Sequence, residues 1–358
     1  MTRDKKLTAI LEKALNGESP GKEDCKYLLT FDEASLEASL IRSAAKEIMR
    51  EKSDNSAIIL GQVGISVSAC PGGCKFCTFG EGHTKFTPFC LSDEEIYEKV
   101  SEFCNRDDLY GLFFMTMHDY DLESFLDAVK IGKSVMHPST KIWSNVGDTD
   151  VDAFREMKKA GVEGVYHVCR LGESVDTNLM PEDRLKTMRN ALDAGLKLYT
   201  CCEPVGPEHT PEQLVENIFI GIELGCTQHA AMRRVAVPGA PLSKYGQISE
   251  LRLGQIVAVV ALASFHTPEM TYCGVHEPNK IAYISGANLI TAESGANPRD
   301  SMADTSKNRG MDMDDCRKML LECGFSHIRR GDESKIPLDL NYINAPARVE
   351  TRPANLNS

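Results

Sequence analysis

The sequence predicts an α/β fold: an eight-stranded (β/α)8 barrel of the TIM type with a helical N-terminal extension and a C-terminal wrap. From Ala57 onward, eight apolar segments of strand length alternate with amphipathic helical segments, and eight strands close such a barrel. Several predicted helices end at turn glycines, among them Gly161, Gly195 and Gly286. The alternative is an open doubly wound sheet. The barrel is favoured because no glycine-rich dinucleotide fingerprint opens the first βα turn.

The chain divides into three regions on this pattern. Residues 1–55 are predicted as the helical extension, since apolar residues such as Leu36 and Leu40 recur at helical spacing. Residues 56–292 are predicted as the barrel, and residues 293–358 as a C-terminal loop, helix and extended tail. The predicted strands are Ile58–Val67, Gly111–Met117, Lys141–Asn145, Gly164–Val168, Lys197–Thr200, Ala230–Val235, Met270–Tyr272 and Ala287–Ile290.

Composition and charge narrow the classes of function. The chain has 358 residues, 42% of them hydrophobic, and a formal net charge of −12. Such an acidic chain, without clusters of lysine and arginine, argues against a nucleic-acid partner, because phosphate binding needs those clusters. No apolar run approaches the roughly 20 residues that span a bilayer, and the N-terminal residues lack the apolar core of a signal peptide. We therefore expect a cytoplasmic protein with no membrane partner.

Three of the thirteen cysteines form one motif. Cys70, Cys74 and Cys77 have CxxxCxxC spacing in a glycine-containing loop after the first predicted strand. A zinc site would ask for four ligands, commonly two CxxC pairs, and a disulfide would leave one thiol over. Three thiolates can hold three irons of a [4Fe–4S] cluster and leave the fourth iron open. The motif predicts such a cluster in a reducing, oxygen-poor cytoplasm.

At these residues the sequence resembles the radical S-adenosylmethionine (SAM) superfamily. Its hallmark is CxxxCxxC after the first barrel strand, with an aromatic residue, here Phe76, before the third cysteine. The resemblance implies a radical SAM barrel in which SAM chelates the open iron of the [4Fe–4S] cluster. An electron from the cluster cleaves SAM to methionine and a 5′-deoxyadenosyl radical, which abstracts hydrogen from a small-molecule substrate. The resemblance also implies a flavodoxin or ferredoxin as electron donor.

Longer segments are similar to the branch of this superfamily that contains biotin synthase, hydrogenase-maturation enzymes and methylornithine synthase. They are His167–Glu173, Asp183–Lys197, Val237–Leu242 and Ser285–Ile290. The resemblance implies that Glu173 binds the SAM amino group and Arg184 its carboxylate, while Phe76 and Gly206 line the SAM site. The second predicted strand departs from the superfamily, since it ends in Met115–His118 in place of a Gly-Gly-Glu-like turn.

Four cysteines near the ends of predicted strands are candidates for an auxiliary Fe–S cluster. They are Cys169, Cys201, Cys202 and Cys273. Biotin synthases hold a sacrificial [2Fe–2S] cluster with cysteines on strands two, three and five, whereas only strand five carries cysteine here, so a second cluster would lie in a different place. The alternative is that these are small buried hydrophobic residues. Cys201 and Cys202 can hardly both face inward on a regular strand.

Histidines and arginines near strand ends are candidate substrate ligands. We consider His118 and His167 for contact with substrate, although a satisfied core histidine is the alternative for His167. Arg233 and Arg234 could bind a substrate carboxylate, and one of the two should face inward on a regular strand. The segment 297–300 is considered for closing the barrel mouth.

Three functions are compatible with these features. The leading hypothesis is biotin-synthase-like sulfur insertion, dethiobiotin to biotin or a lipoyl-type reaction, with an auxiliary Fe–S cluster as sulfur source. The alternative is radical rearrangement or fragmentation of a small amino acid or thioether. The third is an Fe–S scaffold that does not cleave SAM. The sequence leaves the substrate and the oligomeric state open, a homodimer included.

Overall fold

Eight parallel strands close into a barrel in the computed structural model, which describes residues 4–80, 82–294 and 311–346. In chain order the strands are β1 (Ser56–Gly64), β2 (Ser66–Val67), β3 (Phe89–Cys90), β4 (Leu109–Met115), β5 (Lys141–Asn145), β6 (Val162–Tyr166), β7 (Lys197–Val205), β8 (Gln228–Arg233), β9 (Tyr272–Val275), β10 (Leu289–Ser294), β11 (His327–Arg329) and β12 (Lys335–Pro337). Strand β1 pairs in parallel with both β4 and β10, which closes the barrel and confirms the predicted (β/α)8 fold.

Some helices precede the barrel in the chain, and others cover its outside. They are α1 (Lys5–Leu15), α2 (Lys22–Leu28), α3 (Leu36–Lys52), α4 (Asp93–Phe103), α5 (Leu122–Val135), α6 (Val151–Ala160), α7 (Pro181–Asp193), α8 (Pro211–Glu223), α9 (Glu250–Ser264), α10 (Lys280–Tyr283), α11 (Met313–Glu322) and α12 (Leu340–Asn344). Ser92 and Thr210 begin α4 and α8 with capping boxes, each satisfying backbone N–H groups that the first helical turn leaves unpaired. The extension α1–α3 packs on α8 and α9.

Strand alternation separates two hydrophobic layers. Phe113 of β4 and Tyr199 of β7 point into the barrel, where they belong to an aromatic cluster with Trp143 and Tyr166. Their neighbours Leu112 and Leu198 point outward and pack in the larger core under the helices. Among the described residues, the barrel interior is therefore lined by packed side chains, and a cavity opens toward one end.

Several predicted strand boundaries differ from the structure, among them the end of the first strand and the start of the seventh. The first predicted strand, 58–67, leaves the barrel after Gly64, because the Ile65 carbonyl accepts from the Leu91 N–H and the next two residues pair antiparallel with β3. The seventh strand begins at Tyr272, since turn hydrogen bonds hold the residues just before it: the Met270 N–H donates to the Thr267 carbonyl. The short antiparallel ribbon β2–β3 therefore flanks the cysteine loop.

The C-terminal hairpin β11–β12 closes the barrel at the N-terminal ends of the strands. Strand β11 pairs with the first residues of β1, and the hairpin turn presents Glu333 to the barrel. Tyr110 and Tyr272 donate hydrogen bonds to the Glu333 carboxylate at 2.8 and 2.7 Å, and Lys141 lies 3.2 Å from it. The site must therefore lie at the opposite end. None of the helices in the described parts of the chain is long and apolar enough to cross a membrane.

Candidate active site

The three motif cysteines open into one cavity at the C-terminal ends of the strands. Cys70, Cys74 and Cys77 all line this cavity, together with Phe76 from the same loop. The loop is folded on itself by backbone hydrogen bonds, in which the Cys70 N–H donates to the Phe79 carbonyl and the Cys77 N–H to the Cys74 carbonyl. The predicted cysteine cluster is thus placed at the barrel mouth, where barrel enzymes carry their active sites.

The loop offers a fitting cradle for an Fe–S cluster. A Cβ placed on Gly72 would lie 3.4 Å from the Cys70 sulfur and 3.7 Å from the Cys74 sulfur, so the missing side chain leaves the sulfur side of the loop open. Burial raises the pKa of the Cys74 thiol to about 11 and raises that of Cys77 further. A metal that binds thiolate displaces those protons. The donor set of three thiols in one cavity suits a cluster with one iron left for another ligand.

The segment after β6 holds the cysteine loop in place. The Asn178 N–H donates to the Gly72 carbonyl at 2.8 Å, and the Asn178 side-chain amide donates to the Pro71 carbonyl at 3.1 Å. Gly73 has φ of +56°, in the left-handed region that favours glycine, and a Cβ there would meet the Asn178 amide nitrogen at 2.4 Å. The fit of loop and segment therefore depends on glycine at this position.

A buried chain of charges runs beside the cluster loop. Glu173 lies 3.3 Å from Arg184 and 3.6 Å from Arg170, and Arg184 continues to Asp148 at 2.8 Å. Both arginines line the cavity, whereas Glu173 lies behind them. The Glu173 Oε1 atom has no hydrogen-bond partner of good geometry, although it is buried. The charge of this carboxylate is matched by the two guanidinium groups beside it.

His167 and Asp148 complete this charge chain. Burial, reinforced by the charge of Arg184, lowers the pKa of His167 to about 3, so the ring is neutral near pH 7. Its Nε2 lies 3.2 Å from Asp148 Oδ1. Burial would raise the pKa of Asp148, but the hydrogen bond to His167 and the charge of Arg184 outweigh it and hold that pKa well below its usual range. Asp148 is thus an anion that orients Arg184.

A second group of polar side chains lies deeper, at the end of β7. The Tyr166 hydroxyl donates to Glu203 Oε2 at 2.5 Å, and Arg170 lies 3.2 Å from Glu203 Oε1. Burial opposes the charge on Arg170, but Glu203 and Glu173 outweigh it and raise its pKa. Gly206 is not part of the cavity wall; a Cβ there would meet the guanidinium of Arg234 at 2.4 Å.

The four candidate auxiliary-cluster cysteines do not converge. Cys202 and Cys273 point to the outside of the barrel, where their sulfurs lie 3.9 Å from the Leu214 carbonyl on α8 and 4.0 Å from the Val257 carbonyl on α9. Cys169 packs in the same outer core, and only Cys201 belongs to the cluster inside the barrel. Strand alternation has this effect, since Cys201 and Cys202 must face opposite sides of β7.

The predicted substrate ligands separate in a similar way. His118 and Arg234 line the cavity, whereas His167 faces Asp148 and Arg233 turns away to Glu277. Arg234 is 2% exposed and forms a two-point ion pair with Glu208, one contact of which is 2.9 Å long. Of the two arginines, Arg233 ends β8 and Arg234 follows the strand.

Several cavity residues were not singled out from the sequence. Arg170 and Glu203 lie in segments that resemble the family. The sequence feature that could have identified them is a charged residue at the end of a predicted strand. Asp148 follows the third barrel strand by three residues and looks like a helix-capping residue in the sequence. Tyr166 and Tyr199 look like core aromatics, because periodicity does not tell which end of a barrel strand is open. The segment 297–300 lies outside the described residues.

Comparisons with known proteins agree with this architecture. No family model matches the chain. Biotin synthase from Aquifex aeolicus is 22% identical over 302 residues, covering 80% of this chain and 88% of that protein. Biotin synthase from Nitrosopumilus maritimus is 26% identical over 302 residues, covering 80% and 87%. Methylornithine synthase (PylB) superposes with a TM-score of 0.73 at 17% identity over 88% of this chain and 96% of that one, and the maturase HydG with 0.71 at 16% over 90% and 76%.

A closed parallel barrel with a CxxxCxxC loop at its mouth is the arrangement that the sequence resemblance to the radical SAM superfamily implies. The two solved structures share this fold with the chain. The biotin synthase relatives agree with the resemblance of the sequence to the biotin-synthase-like branch of that superfamily.

Proposed function

We propose that the chain binds a [4Fe–4S] cluster at Cys70, Cys74 and Cys77 and uses SAM to abstract hydrogen from a small polar substrate. When bound, the cluster supplies the electron that cleaves SAM to a 5′-deoxyadenosyl radical. The observation that carries the proposal is the opening of all three cysteines into the cavity that Arg170 and Arg184 also line. An electron donor of the flavodoxin or ferredoxin type belongs to the same proposal.

The charge chain suits the two charges of the SAM amino-acid group. Arg184, 3% exposed and held by Asp148, is proposed for the carboxylate, because a guanidinium binds carboxylate with paired hydrogen bonds. Glu173 is proposed for the amino group, either by direct contact or by orienting the two arginines. Phe76 lines the same part of the cavity as the cysteines and contributes apolar surface. Gly206 is proposed only as a neighbour of the site, because Arg234 stands between it and the cavity.

The remaining wall favours a small polar substrate. Gln62, Asn145, His118 and Glu203 all line the cavity, and Arg234 offers a guanidinium for an anionic group. A long alkyl chain would leave these buried polar groups without partners, at a cost of about 1–3 kcal/mol each. Residues Phe79, Met115 and Met117 pack under the cysteine loop and keep water away from the reacting atoms.

This wall favours rearrangement or fragmentation of a small amino acid or thioether over sulfur insertion. Sulfur insertion with a bound Fe–S cluster as donor asks for several thiolates around one point, and of the four candidate cysteines Cys201 alone belongs to the cluster of side chains inside the barrel. Iron analysis of the anaerobically reconstituted protein separates the two. About four irons per chain are expected for the single cluster, together with 5′-deoxyadenosine formation on amino acids such as lysine and not on dethiobiotin. Additional iron with [2Fe–2S] absorption would instead support sulfur insertion.

A further inference from the structure

A mixed set of metal-binding side chains lies inside the barrel, apart from the cysteine loop. Ligand atoms of Cys201, Glu203 and His276 lie within 4.8 Å of one another. Cys201 is 2% exposed and Glu203 4%, so both are removed from solvent. Glu203 and His276 line the cavity, and Cys201 lies deeper on the same strand as Glu203. Two strands therefore bring a sulfur, an oxygen and a nitrogen donor to one point.

We propose that Cys201, Glu203 and His276 bind a single Zn²⁺ ion that is separate from the Fe–S cluster. Zinc accepts thiolate, imidazole and carboxylate ligands together, and three protein ligands leave a fourth position for water or substrate. Because two of the ligands line the cavity, that fourth position would face it, where a thiol, amine or carboxylate group of the substrate could reach the ion.

The surroundings already orient two of the ligands. The Tyr199 hydroxyl lies 2.6 Å from His276 Nε2, and the Tyr166 ring stacks beside the histidine at a centroid distance of 5.0 Å. Glu203 is held by Tyr166 and Arg170, one on each carboxylate oxygen, and each oxygen keeps a further lone pair for an ion. Outer contacts of this kind fix the orientation of metal ligands and raise affinity.

A single ion needs no more than the one cysteine of the four that faces inward. An Fe–S cluster is held mainly by cysteine thiolates, whereas the other three candidates, Cys169, Cys202 and Cys273, pack in the core outside the barrel strands. One thiolate with an imidazole and a carboxylate is the donor set of a mononuclear site.

Zinc content and zinc-edge X-ray absorption of the anaerobically reconstituted full chain test this site. We expect about one zinc per chain, bound to one sulfur and otherwise to nitrogen and oxygen. Cys201→Ser should weaken zinc binding at least about tenfold and remove the sulfur scatterer, and His276→Gln should weaken it similarly. The control is Cys202→Ser, which changes the neighbouring thiol on the outer face and should leave both readouts unchanged. Circular dichroism verifies that each variant is folded.

Zinc binding at this site can be tested independently of the radical chemistry. A variant with Cys70, Cys74 and Cys77 all replaced by alanine should lose its iron and SAM cleavage but keep the zinc. The proposal is overturned if the reconstituted chain binds no zinc, if Cys201→Ser keeps it, or if the zinc has several sulfur ligands and disappears with the three loop cysteines. If the reconstituted wild type binds zinc but does not cleave SAM, the proposed function is overturned and the zinc site stands.

Discussion

The substitution Gly73→Ala tests whether the cysteine loop must adopt the observed conformation to hold its cluster. Gly73 has φ of +56°, and a Cβ there would lie 2.4 Å from the Asn178 side-chain nitrogen. An L-residue in the left-handed region costs roughly 1–2 kcal/mol. Displacing Asn178 also breaks its 3.1 Å hydrogen bond to the Pro71 carbonyl, worth about 0.5–1.5 kcal/mol. The sum is about 1.5–3.5 kcal/mol.

This cost should appear as weaker retention of the cluster. At about 1.4 kcal/mol per factor of ten, Gly73→Ala is expected to release iron to a ferrous chelator roughly ten to three hundred times faster than wild type under anaerobic conditions. Gly82→Ala is the matched control, because Gly82 has φ of +85° but nothing within 4 Å of its added Cβ. It carries only the backbone cost and should lose iron more slowly than Gly73→Ala.

A double variant separates the two parts of the effect. Asn178→Ala removes the hydrogen bond that Gly73→Ala also breaks, so the two changes together should cost little more than Gly73→Ala alone. Iron release at the wild-type rate in Gly73→Ala, or full additivity in the double variant, would refute the proposed contact between the loop and the segment that carries Asn178.

Three further predictions concern the charged groups. Arg317→Met should lower the free energy of unfolding by about 3–5 kcal/mol in urea titrations, because Arg317 and Asp108 form a fully buried pair with contacts of 2.6 and 2.7 Å. Arg155→Met, in an exposed pair, should change it by less than about 0.5 kcal/mol, and equal effects would contradict the argument. The pKa of Asp148 is held low by His167 and Arg184 against the effect of burial. This carboxylate therefore adds stability above its ordinary pKa and loses it as the pH falls toward its folded value. Asp148→Asn should consequently show a flatter stability decline between about pH 5 and pH 2, and an unchanged slope would count against it. Glu173→Gln should raise the SAM dissociation constant about ten- to hundredfold in equilibrium dialysis, the worth of a charged hydrogen bond, with iron content unchanged. An unaltered constant would remove Glu173 from the site.

The fold and the cluster loop could be predicted from sequence because both depend on local patterns. Apolar residues recur at different spacings in strands and in helices, so the two kinds of element could be told apart. Eight successive βα units are compatible with few architectures, and the barrel is the one that was predicted. The CxxxCxxC spacing carries its chemistry within one loop. The strand boundaries at Gly64 and Tyr272 could not be predicted, since pairing with the distant strand β3 follows the first boundary and turn hydrogen bonds precede the second.

It was harder to predict from the sequence which distant side chains converge on one site. The auxiliary-cluster hypothesis counted strand-end cysteines, but the facing of each depends on register and on where the strand leaves the barrel. Cys202 and Cys273 turn outward, whereas Cys201 meets Glu203 and His276 inside. That meeting joins residues of β7 to a residue after β9, which are not neighbours in the sequence or in the sheet.

Reductive cleavage of SAM tests the central claim most directly. The anaerobically reconstituted protein, given dithionite and SAM, should form 5′-deoxyadenosine and methionine in equal amounts. Cys74→Ala should form neither, while Cys226→Ser, which alters a buried thiol outside the cavity, should behave as wild type. A protein that binds about four irons and SAM but forms no 5′-deoxyadenosine would contradict the account.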